Sequence, residues 1–474
     1  MNINKMLVVA PHPDDEINLA GQLIVKAVKE NIEVYVLYTT NGDATKKEKN
    51  NRVQEAINAL KVLGVQQEHI VFLGYANEWK ENEHIYYAEK DLISTLNKTA
   101  TNCFKGQDEY CFKKNQTHHV FTYENFKNDM KSVIEDIAAD VLICVDFDSH
   151  PDHRAASLTF DRCMGEILKE RRAYRPIVLK KYAYNGVWKG EKDYYIEPFQ
   201  RTKHETNFFY SGDVHELESP NFSWKDRISL CVPKETITPL LKKNILYKAA
   251  RQHTLTTAWY EMQRVINSDV VYWNRPTNNV MLEGILQASS GETKYINDFM
   301  MYDAGNILDK NEPFREREYC WRPDVTDTDK TLTVQFYENK RIRKIVVYED
   351  FDVRNHIKKL KIQLGEKVLY CEPNRNGTKT EIVLDKSTET DKIVIKVCDV
   401  IGNGGLCEVE AYTEEASFSE TTELLKNWTE LQIPKYSVVT RMEQNAERLS
   451  ILFEFAIRFK IKYEVNRLLK RNKR

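Results

Sequence analysis

Short apolar runs alternate with segments of helical periodicity over the first 184 residues of the chain. The runs at 6–10 and 141–145 are apolar at every position, which is typical of strands buried on both faces of a parallel sheet. The pattern predicts strands at 6–10, 33–39, 70–73, 141–145 and 177–184, and helices at 18–29, 45–63, 123–139 and 154–170. We therefore expect an α/β fold with a right-handed, doubly wound and mostly parallel sheet.

The pattern changes at about residue 279, where strands of alternating polarity replace the alternation of strands and helices. These strands are predicted at 332–336, 342–348, 357–364, 380–384, 392–397 and 407–412, with turn residues between them. Such a series is typical of an antiparallel β-sandwich. We expect an α/β domain at 1–278 that includes a helical region at 233–266, then the sandwich at 279–413 and a helical tail at 414–474.

The tail is strongly basic. Eight Lys and Arg residues lie from Arg458 to Arg474, with Glu464 as the single acidic residue. Apolar residues upstream recur at helical spacing, which predicts an amphipathic helix that lies on an anionic membrane surface. The alternative is a helix that packs on the protein and leaves its basic end in solvent.

Composition limits the classes of partner and compartment. Lys and Arg number 69 against 71 Asp and Glu, so no overall positive charge attracts nucleic acid. Nine scattered cysteines suggest reduced thiols, with Cys103 and Cys111 as the pair to test for a disulfide. Since the sequence shows no signal peptide and no apolar run of spanning length, we expect a cytoplasmic protein, peripheral at the inner face of the membrane. A dinucleotide cofactor is not expected, because no G-x-G-x-x-G follows the first strand.

Two histidine-containing motifs directly follow strand positions of this pattern. The sequence HPDDE at 12–16 comes after the first apolar run, and HPDH at 150–153 comes shortly after the run at 141–145. Because the carboxyl ends of parallel strands meet at one edge of a sheet, we expect the two motifs to converge there.

The motifs provide ligands for a catalytic metal. A catalytic zinc ion needs three protein ligands and one open position, and His12, Asp15 and His153 fill that role. Zn2+ or another divalent transition metal is expected, because iron and cobalt also accept these ligands. Asp14 and His150 then remain free for proton transfer. For the first motif alone, the alternative is a helix start in which Asp14 is only the cap.

Together the motifs resemble those of the PIG-L/LmbE-like metal-dependent N-deacetylases, which pair [A/P]HPDDE with a downstream HPDH. Further similar segments lie at 40–43, 52–56, 73–75 and 248–253, and the resemblance covers about residues 1–278. It implies a Rossmann-like core and a substrate contact by Arg52 to a sugar or phosphate, for which the alternative is a surface salt bridge with Glu55 or Glu48. The chain departs from the family at Asp148 and Ser149, where some relatives have a tyrosine that polarises the carbonyl.

The second part is similar to a discoidin-like, galactose-binding-type jelly roll. The similarity lies in Ala288, Ser289 and Ser290, in Trp321 before the strand at 332–336, and in the segments 342–348 and 404–412. It implies a carbohydrate-binding module, and the alternative is a module that serves packing alone.

These features predict a zinc-dependent hydrolase that removes acetyl from an N-acetylglucosamine-type sugar, in a lipid-linked or cell-envelope glycan pathway. Zinc would lower the pKa of water to about 7, and Asp14 would act as the general base. His150 would stabilise the oxyanion or protonate the leaving amine, and Asp152 would orient a histidine. One alternative is a non-catalytic carbohydrate-binding or scaffold protein, against which the intact motifs argue. A metal phosphoesterase would need a second ligand set, which the motifs do not provide.

Overall fold

The described part of the chain forms an α/β domain, an antiparallel β-sandwich and a long C-terminal helix, which confirms the predicted fold class. The computed structural model describes residues 2–43, 51–77, 84–104, 106–146, 150–183, 188–189, 194–195, 200–204, 224–254, 262–301, 319–350, 354–375, 378–413, 422–430 and 436–471.

A seven-stranded sheet forms the centre of the α/β domain, with the order β3-β2-β1-β4-β5-β9-β8. The first five strands along the chain run parallel, whereas β9 and β8 are antiparallel additions at one edge. A separate short hairpin, β6 with β7, follows β5. The strands are β1 (Lys5–Ala10), β2 (Glu33–Thr40), β3 (Ile70–Tyr75), β4 (Val141–Val145), β5 (Ile177–Lys181), β6 (Trp188–Lys189), β7 (Lys203–His204), β8 (Ile228–Cys231) and β9 (Asp269–Arg275).

Helices form a layer on each side of this sheet. They are α1 (Asp15–Lys29), α2 (Asn51–Leu63), α3 (Tyr110–Asn115), α4 (Tyr123–Ile137), α5 (Pro151–Glu170) and α6 (Ile245–Ala250). Helices α1, α2 and α6 pack together in one layer, and α4 packs on α5 in the other. This is the doubly wound arrangement that the alternation of strands and helices predicts.

Strand β1 lies in the middle of the sheet, and its residues 6–10 have no solvent exposure. It pairs with β2 on one side and with β4 on the other. The strand order therefore reverses between β1 and β4, and open α/β sheets bind their ligands in the crevice at such a point. The turns that follow β1 and β4 begin at this crevice.

The predicted helical region at 233–266 is wrong. Its described residues contain one short α-helix, α6, and the 3-10 turns Lys234–Thr236, Leu241–Lys243 and Met262–Arg264, while residues 255–261 lie outside the described part. Pro233 and Pro239 lack the N–H group that a continuous helix requires. The region connects β8 to β9, two antiparallel strands that the apolar pattern does not predict.

The described residues of the sandwich form six antiparallel strands. They are β10 (Ile285–Ala288), β11 (Thr331–Glu349), β12 (His356–Leu364), β13 (Lys367–Cys371), β14 (Thr380–Ile401) and β15 (Leu406–Tyr412). Register shifts divide β11, so that its first part pairs with β10 and its last part with β15. Leu332 from the first part and Val347 from the last part are buried in the same apolar core. The strands therefore enclose one core, as expected for the predicted sandwich.

The sandwich and the α/β domain share a buried junction. Tyr348 and Tyr412 of the sandwich belong to the apolar core of the α/β domain. At the same junction, Arg275 of β9 forms an ion pair with Glu410 of β15, and each side chain is only 2% exposed. The predicted boundary near residue 279 thus marks a change of pattern, while the two cores are in contact.

After the sandwich the chain returns to the α/β domain. The N–H groups of Cys231 and Trp428 donate to the carbonyls of Lys426 (2.9 Å) and Ser229 (2.8 Å), so this segment extends the edge of β8. Helix α7 (Val438–Arg471) then packs on the domain through the buried Ile451. Its first part therefore follows the packed-helix alternative, and the side chains from residue 459 onwards lie outside the described part. No described helix is both long and apolar enough to span a bilayer.

Candidate active site

The turn after β1 holds the HPDDE motif in a closed hydrogen-bonded loop. The N–H of Asp15 donates to the carbonyl of His12 (3.1 Å), and the N–H of His12 donates to Asp15 Oδ2 (3.0 Å). Asp14 has a φ of 126°, a conformation that residues with a Cβ rarely adopt. Its side chain makes no capping hydrogen bond to α1, so the alternative role as a helix cap is not observed.

Three predicted ligand atoms converge between the two motifs. His12 Nδ1 lies 3.0 Å from Asp15 Oδ2 and 3.1 Å from His153 Nε2, and the distance from His153 Nε2 to Asp15 Oδ2 is 3.2 Å. Donor atoms around a tetrahedral zinc ion, at about 2.0–2.2 Å from the metal, lie about 3.3–3.5 Å apart. The donor types and their spacing therefore fit a zinc ion.

The side chains of this cluster stabilise one another's charged forms. Burial alone would raise the pKa of the Asp15 carboxyl, but His153 and His12 outweigh it and hold that pKa well below its usual range. Burial also acts to lower the pKa of His12, whereas its hydrogen bonds to Asp15 and Asp152 raise it above the usual value. Asp15 is thus an ionised carboxylate, as a metal ligand must be.

Asp152 lies behind His12 rather than at the point where the ligand atoms meet. Its Oδ2 is 3.1 Å from His12 Nε2, the ring nitrogen that faces away from the other ligands. A carboxylate in this position fixes the tautomer and orientation of a metal-ligating histidine. The orienting role of Asp152 stays a prediction, and this contact with His12 is the one through which it would act.

A third histidine, His84, also contacts Asp152, with 3.4 Å between His84 Nε2 and Asp152 Oδ1. Sequence reasoning missed His84, because it lies in the long segment between β3 and α4 and no motif contains it. His118 and His119 of the same segment contact Glu109 and Asp129 instead of Asp152.

His150 caps helix α5. Its Nδ1 accepts a hydrogen bond from the N–H of Asp152 (3.1 Å), which leaves Nε2 to carry the proton of the neutral ring. The ring centroid lies 4.6 Å from that of His12 and 4.8 Å from that of His153. One ring nitrogen from each of His12, His150 and His153 lies within 4.8 Å of the other two. His150 is therefore close enough to act at the metal or beside it.

Arg52 of α2 reaches back to the HPDDE turn. Its Nη2 donates to Asp14 Oδ1 (3.0 Å) and to the carbonyl of Pro13 (2.7 Å). Burial raises the pKa of Asp14, and the charge of Arg52 opposes that effect in part. The alternative of a surface salt bridge is not observed for Glu55, since Arg52 is buried and pairs with Asp14; Glu48 lies outside the described residues.

The segment at 248–253, which the family resemblance places near the site, reaches it through one residue. His253 Nε2 lies 2.9 Å from Glu16 Oε1, and both side chains are buried. The same Glu16 accepts the N–H of Asp14 through Oε2 (2.8 Å). Lys248 of this segment is exposed, whereas His253 reaches the HPDDE turn.

Residues 7–164 match the model of the PIG-L family, described as GlcNAc-PI de-N-acetylase, and the match includes both histidine motifs. The chain is similar to the solved N,N'-diacetylchitobiose deacetylase from Pyrococcus horikoshii, at 17% identity over 39% of this chain and 62% of that chain, with a TM-score of 0.26. It is also similar to the family 32 CBM of NanJ from C. perfringens, solved with galactose, at 16% identity over 28% of this chain and 94% of that chain, with a TM-score of 0.20. No curated protein matches the chain.

Proposed function

We propose that this chain, whose residues 7–164 form a PIG-L family domain, is a zinc-dependent N-deacetylase that hydrolyses the acetamide of an N-acetylglucosamine-type sugar. The observation that carries the proposal is the convergence of His12 Nδ1, Asp15 Oδ2 and His153 Nε2 within 3.2 Å of one another. These atoms would hold the metal. When bound, zinc would lower the pKa of water to about 7 and polarise the acetamide carbonyl.

Asp14 would accept the proton of the attacking water. It is next in sequence to Asp15, and its carboxylate is held by Arg52 rather than by the helix it precedes. A carboxylate held in this way stays oriented for proton transfer.

His150 would act after the attack of the water, as a proton or hydrogen-bond donor. Because its Nδ1 accepts from the backbone N–H of Asp152, its Nε2 carries the proton that would be donated to the developing oxyanion or to the leaving amine. Asp152 would keep His12 in the tautomer that presents Nδ1 to the metal. Arg52 is the proposed contact to a sugar or phosphate group, in addition to its bond to Asp14.

We also propose that the substrate is a lipid-linked or cell-envelope glycan, handled by a cytoplasmic protein at the inner face of the membrane. The support is the sequence of the tail, with its eight bases from Arg458 to Arg474, and the sandwich that follows the PIG-L domain. Failure of the full chain to bind vesicles of anionic lipid would remove this part of the proposal.

The test is acetate release by the purified full chain from free, nucleotide-linked and prenyl-diphosphate-linked N-acetylhexosamines, with metal content measured in parallel. We expect release that a chelator stops and added Zn2+ restores. Asp14→Asn should lower the rate by about 100-fold or more while it retains the metal, because general-base catalysis contributes about 10²–10⁴-fold. Asp385→Asn, at an exposed position of the sandwich, is the matched control.

Two outcomes would contradict the proposal. A full rate in Asp14→Asn would remove Asp14 from the mechanism. Bound metal without acetate release from any substrate would favour the non-catalytic carbohydrate-binding or scaffold protein.

A further inference from the structure

A second group of metal-ligating side chains lies in the long segment between β3 and α4. Its centre is Glu109, whose side chain is 0% exposed. Three side chains contact this one carboxylate: Cys103 Sγ lies 2.8 Å from Oε2, while His118 Nδ1 (2.6 Å) and Cys111 Sγ (3.3 Å) lie near Oε1. We call Cys103, Glu109, Cys111 and His118 the thiol cluster.

The thiol cluster is separate from the candidate active site. Two groups of side chains in this segment have possible ligand atoms close enough together to bind a metal ion. One group is Cys103, Glu109 and His118, and the adjoining one is Cys111, His119 and Asp129. Neither group includes His12, His150 or His153, which form their own group. The proposed deacetylase mechanism uses none of the four residues of the thiol cluster.

The chemistry of the thiol cluster favours zinc. Two thiols, one imidazole and one carboxylate are the donor types that Zn2+ accepts, and tetrahedral zinc separates such donors by about 3.3–3.8 Å. The three contacts with Glu109 are 2.6–3.3 Å, at or below this spacing, so the donors need only move apart by about 1 Å or less to surround an ion. Cys103, Glu109 and His118 already lie at metal-binding spacing, and Cys111, which contacts the same carboxylate from the adjoining group, would be the fourth donor. Four protein donors are typical of a structural rather than a catalytic site.

We propose that Cys103, Glu109, Cys111 and His118 bind a structural zinc ion. On binding, each thiol loses its proton to solvent and becomes a thiolate ligand, so no oxidant or reductant is needed. All nine cysteines are free thiols in the structure, so the two thiols are in the state that this step requires. His118, whose side chain is 43% exposed, provides access from solvent.

The position of the thiol cluster indicates what the metal would do. Gly74 near the end of β3 has a φ of 85°, and a Cβ there would lie 2.9 Å from Glu109, so the segment packs closely on the sheet. Thr101 also donates to Glu109 Oε1 (2.9 Å). The same segment carries His84, which contacts Asp152. The ion would therefore hold this segment, which contributes His84 to the candidate active site, in place against the sheet.

Cobalt substitution tests the proposal, because thiolate ligands give Co2+ an intense charge-transfer absorption in the near ultraviolet. The ligand set His12, Asp15 and His153 contains no sulfur, so this band does not arise from the candidate active site, and the cysteine variants below assign it to the thiol cluster. We expect the reduced full chain to show the band with Co2+ and to contain about two zinc ions when purified with zinc, one for each proposed site.

The double variant Cys103→Ser/Cys111→Ser should lose the band and one zinc equivalent. Serine keeps a hydroxyl that can donate to Glu109, which limits the cost to folding. The matched control is Cys231→Ser/Cys398→Ser, which changes two thiols outside the thiol cluster and should keep the band. A chelator should lower the melting temperature of the wild type more than that of the Cys103→Ser/Cys111→Ser variant.

The outcomes separate this proposal from the proposed function. His12→Ala should lose deacetylation and keep the cobalt–thiolate band. A wild-type chain without the band, or a band that the Cys103→Ser/Cys111→Ser variant retains, would overturn the proposal and leave a metal-free hydrogen-bond network around Glu109. The first of these outcomes is measured on the wild type, so the proposal can be overturned even if the variant does not fold.

Discussion

The guanidinium of Arg52 donates to the carboxylate of Asp14 across 3.0 Å, and the same nitrogen donates to the carbonyl of Pro13. One side chain therefore holds both the proposed general base and the turn that carries it. We expect Arg52→Met to lower kcat by about 10–100-fold with little change in KM, because it removes orientation of a catalytic group rather than binding. Steady-state kinetics of acetate release measure both constants.

The substrate contact implied by the family resemblance predicts the opposite effects on kcat and KM. If Arg52 binds the sugar or phosphate in the ground state, its loss raises KM and leaves kcat nearly unchanged. Lys61→Met, which removes an exposed charge from the same helix, is the control and should change neither constant.

Asp152 offers a test of how the metal site is oriented. Its contact with His12 Nε2 holds the ring so that Nδ1 faces Asp15 and His153. Asp152→Asn should weaken zinc binding by about 10–100-fold, the usual effect of removing such a partner. Competition with a chromogenic chelator measures the affinity, and Glu170→Gln at the exposed end of α5 is the control. Unchanged affinity with reduced kcat would assign Asp152 to the chemistry instead.

The sequence predicts those parts of the fold that local patterns determine. The fully apolar runs of β1 and β4 and the motifs after them predict both the central strands and the crevice between them. His84 was not predicted, since its contact with Asp152 depends on how a long segment folds back over the sheet. For the same reason β8 and β9 were missed: β9 pairs with β5, which lies far away in the sequence, and β8 joins the sheet only through β9.

Asp298 at the domain junction should make the free energy of unfolding of the protein depend on pH. Burial raises the pKa of its carboxyl to about 7, and it lies beside Glu408, which accepts its N–H (3.1 Å). The pKa of Asp in an unfolded chain is about 3.9, so the folded state binds this proton more tightly and the free energy of unfolding falls as pH rises from about 4 to about 7.

Asp298→Asn removes this titration and keeps an oxygen that can accept the N–H of Met300. We expect the variant to be more stable than the wild type by about 1–2 kcal/mol at pH 8, because the partial exposure of Asp298 reduces the full effect. At pH 4 the difference should be small. Urea unfolding across this range measures it, and a difference that does not vary with pH would contradict the assignment.

Helix α7 makes separate predictions for its two parts. Ile451 is 2% exposed against the α/β domain, and Glu454 pairs with Arg251 at 2.7 Å. Ile451→Ala should lower the free energy of unfolding by about 2 kcal/mol, the lower end of the range for such a change in a core. Removal of residues 459–474 should leave stability unchanged and abolish binding to anionic vesicles. Vesicle binding that survives this truncation would argue against the basic end as the membrane contact.

The ion pair between Arg275 and Glu410 links the stability of the two domains. Both side chains are buried, and the pair is completed by Tyr412, which donates to Glu410 (2.8 Å), and by the carbonyl of Phe299, which accepts from Arg275 (3.1 Å). Glu410→Gln leaves the charge of Arg275 without its counterion, and the expected loss is about 3–5 kcal/mol. The wild type should unfold in one calorimetric transition, because its two apolar cores meet at this junction.

In Glu410→Gln the junction should open first, so that the sandwich and the α/β domain unfold in two transitions. The double variant Arg275→Met/Glu410→Met removes both charges together and should recover most of the stability and the single transition, since a buried pair is often replaceable by apolar side chains of similar volume. If the double variant is as unstable as Glu410→Gln, then the packing of these side chains, and not the unpaired charge, is what holds the domains together.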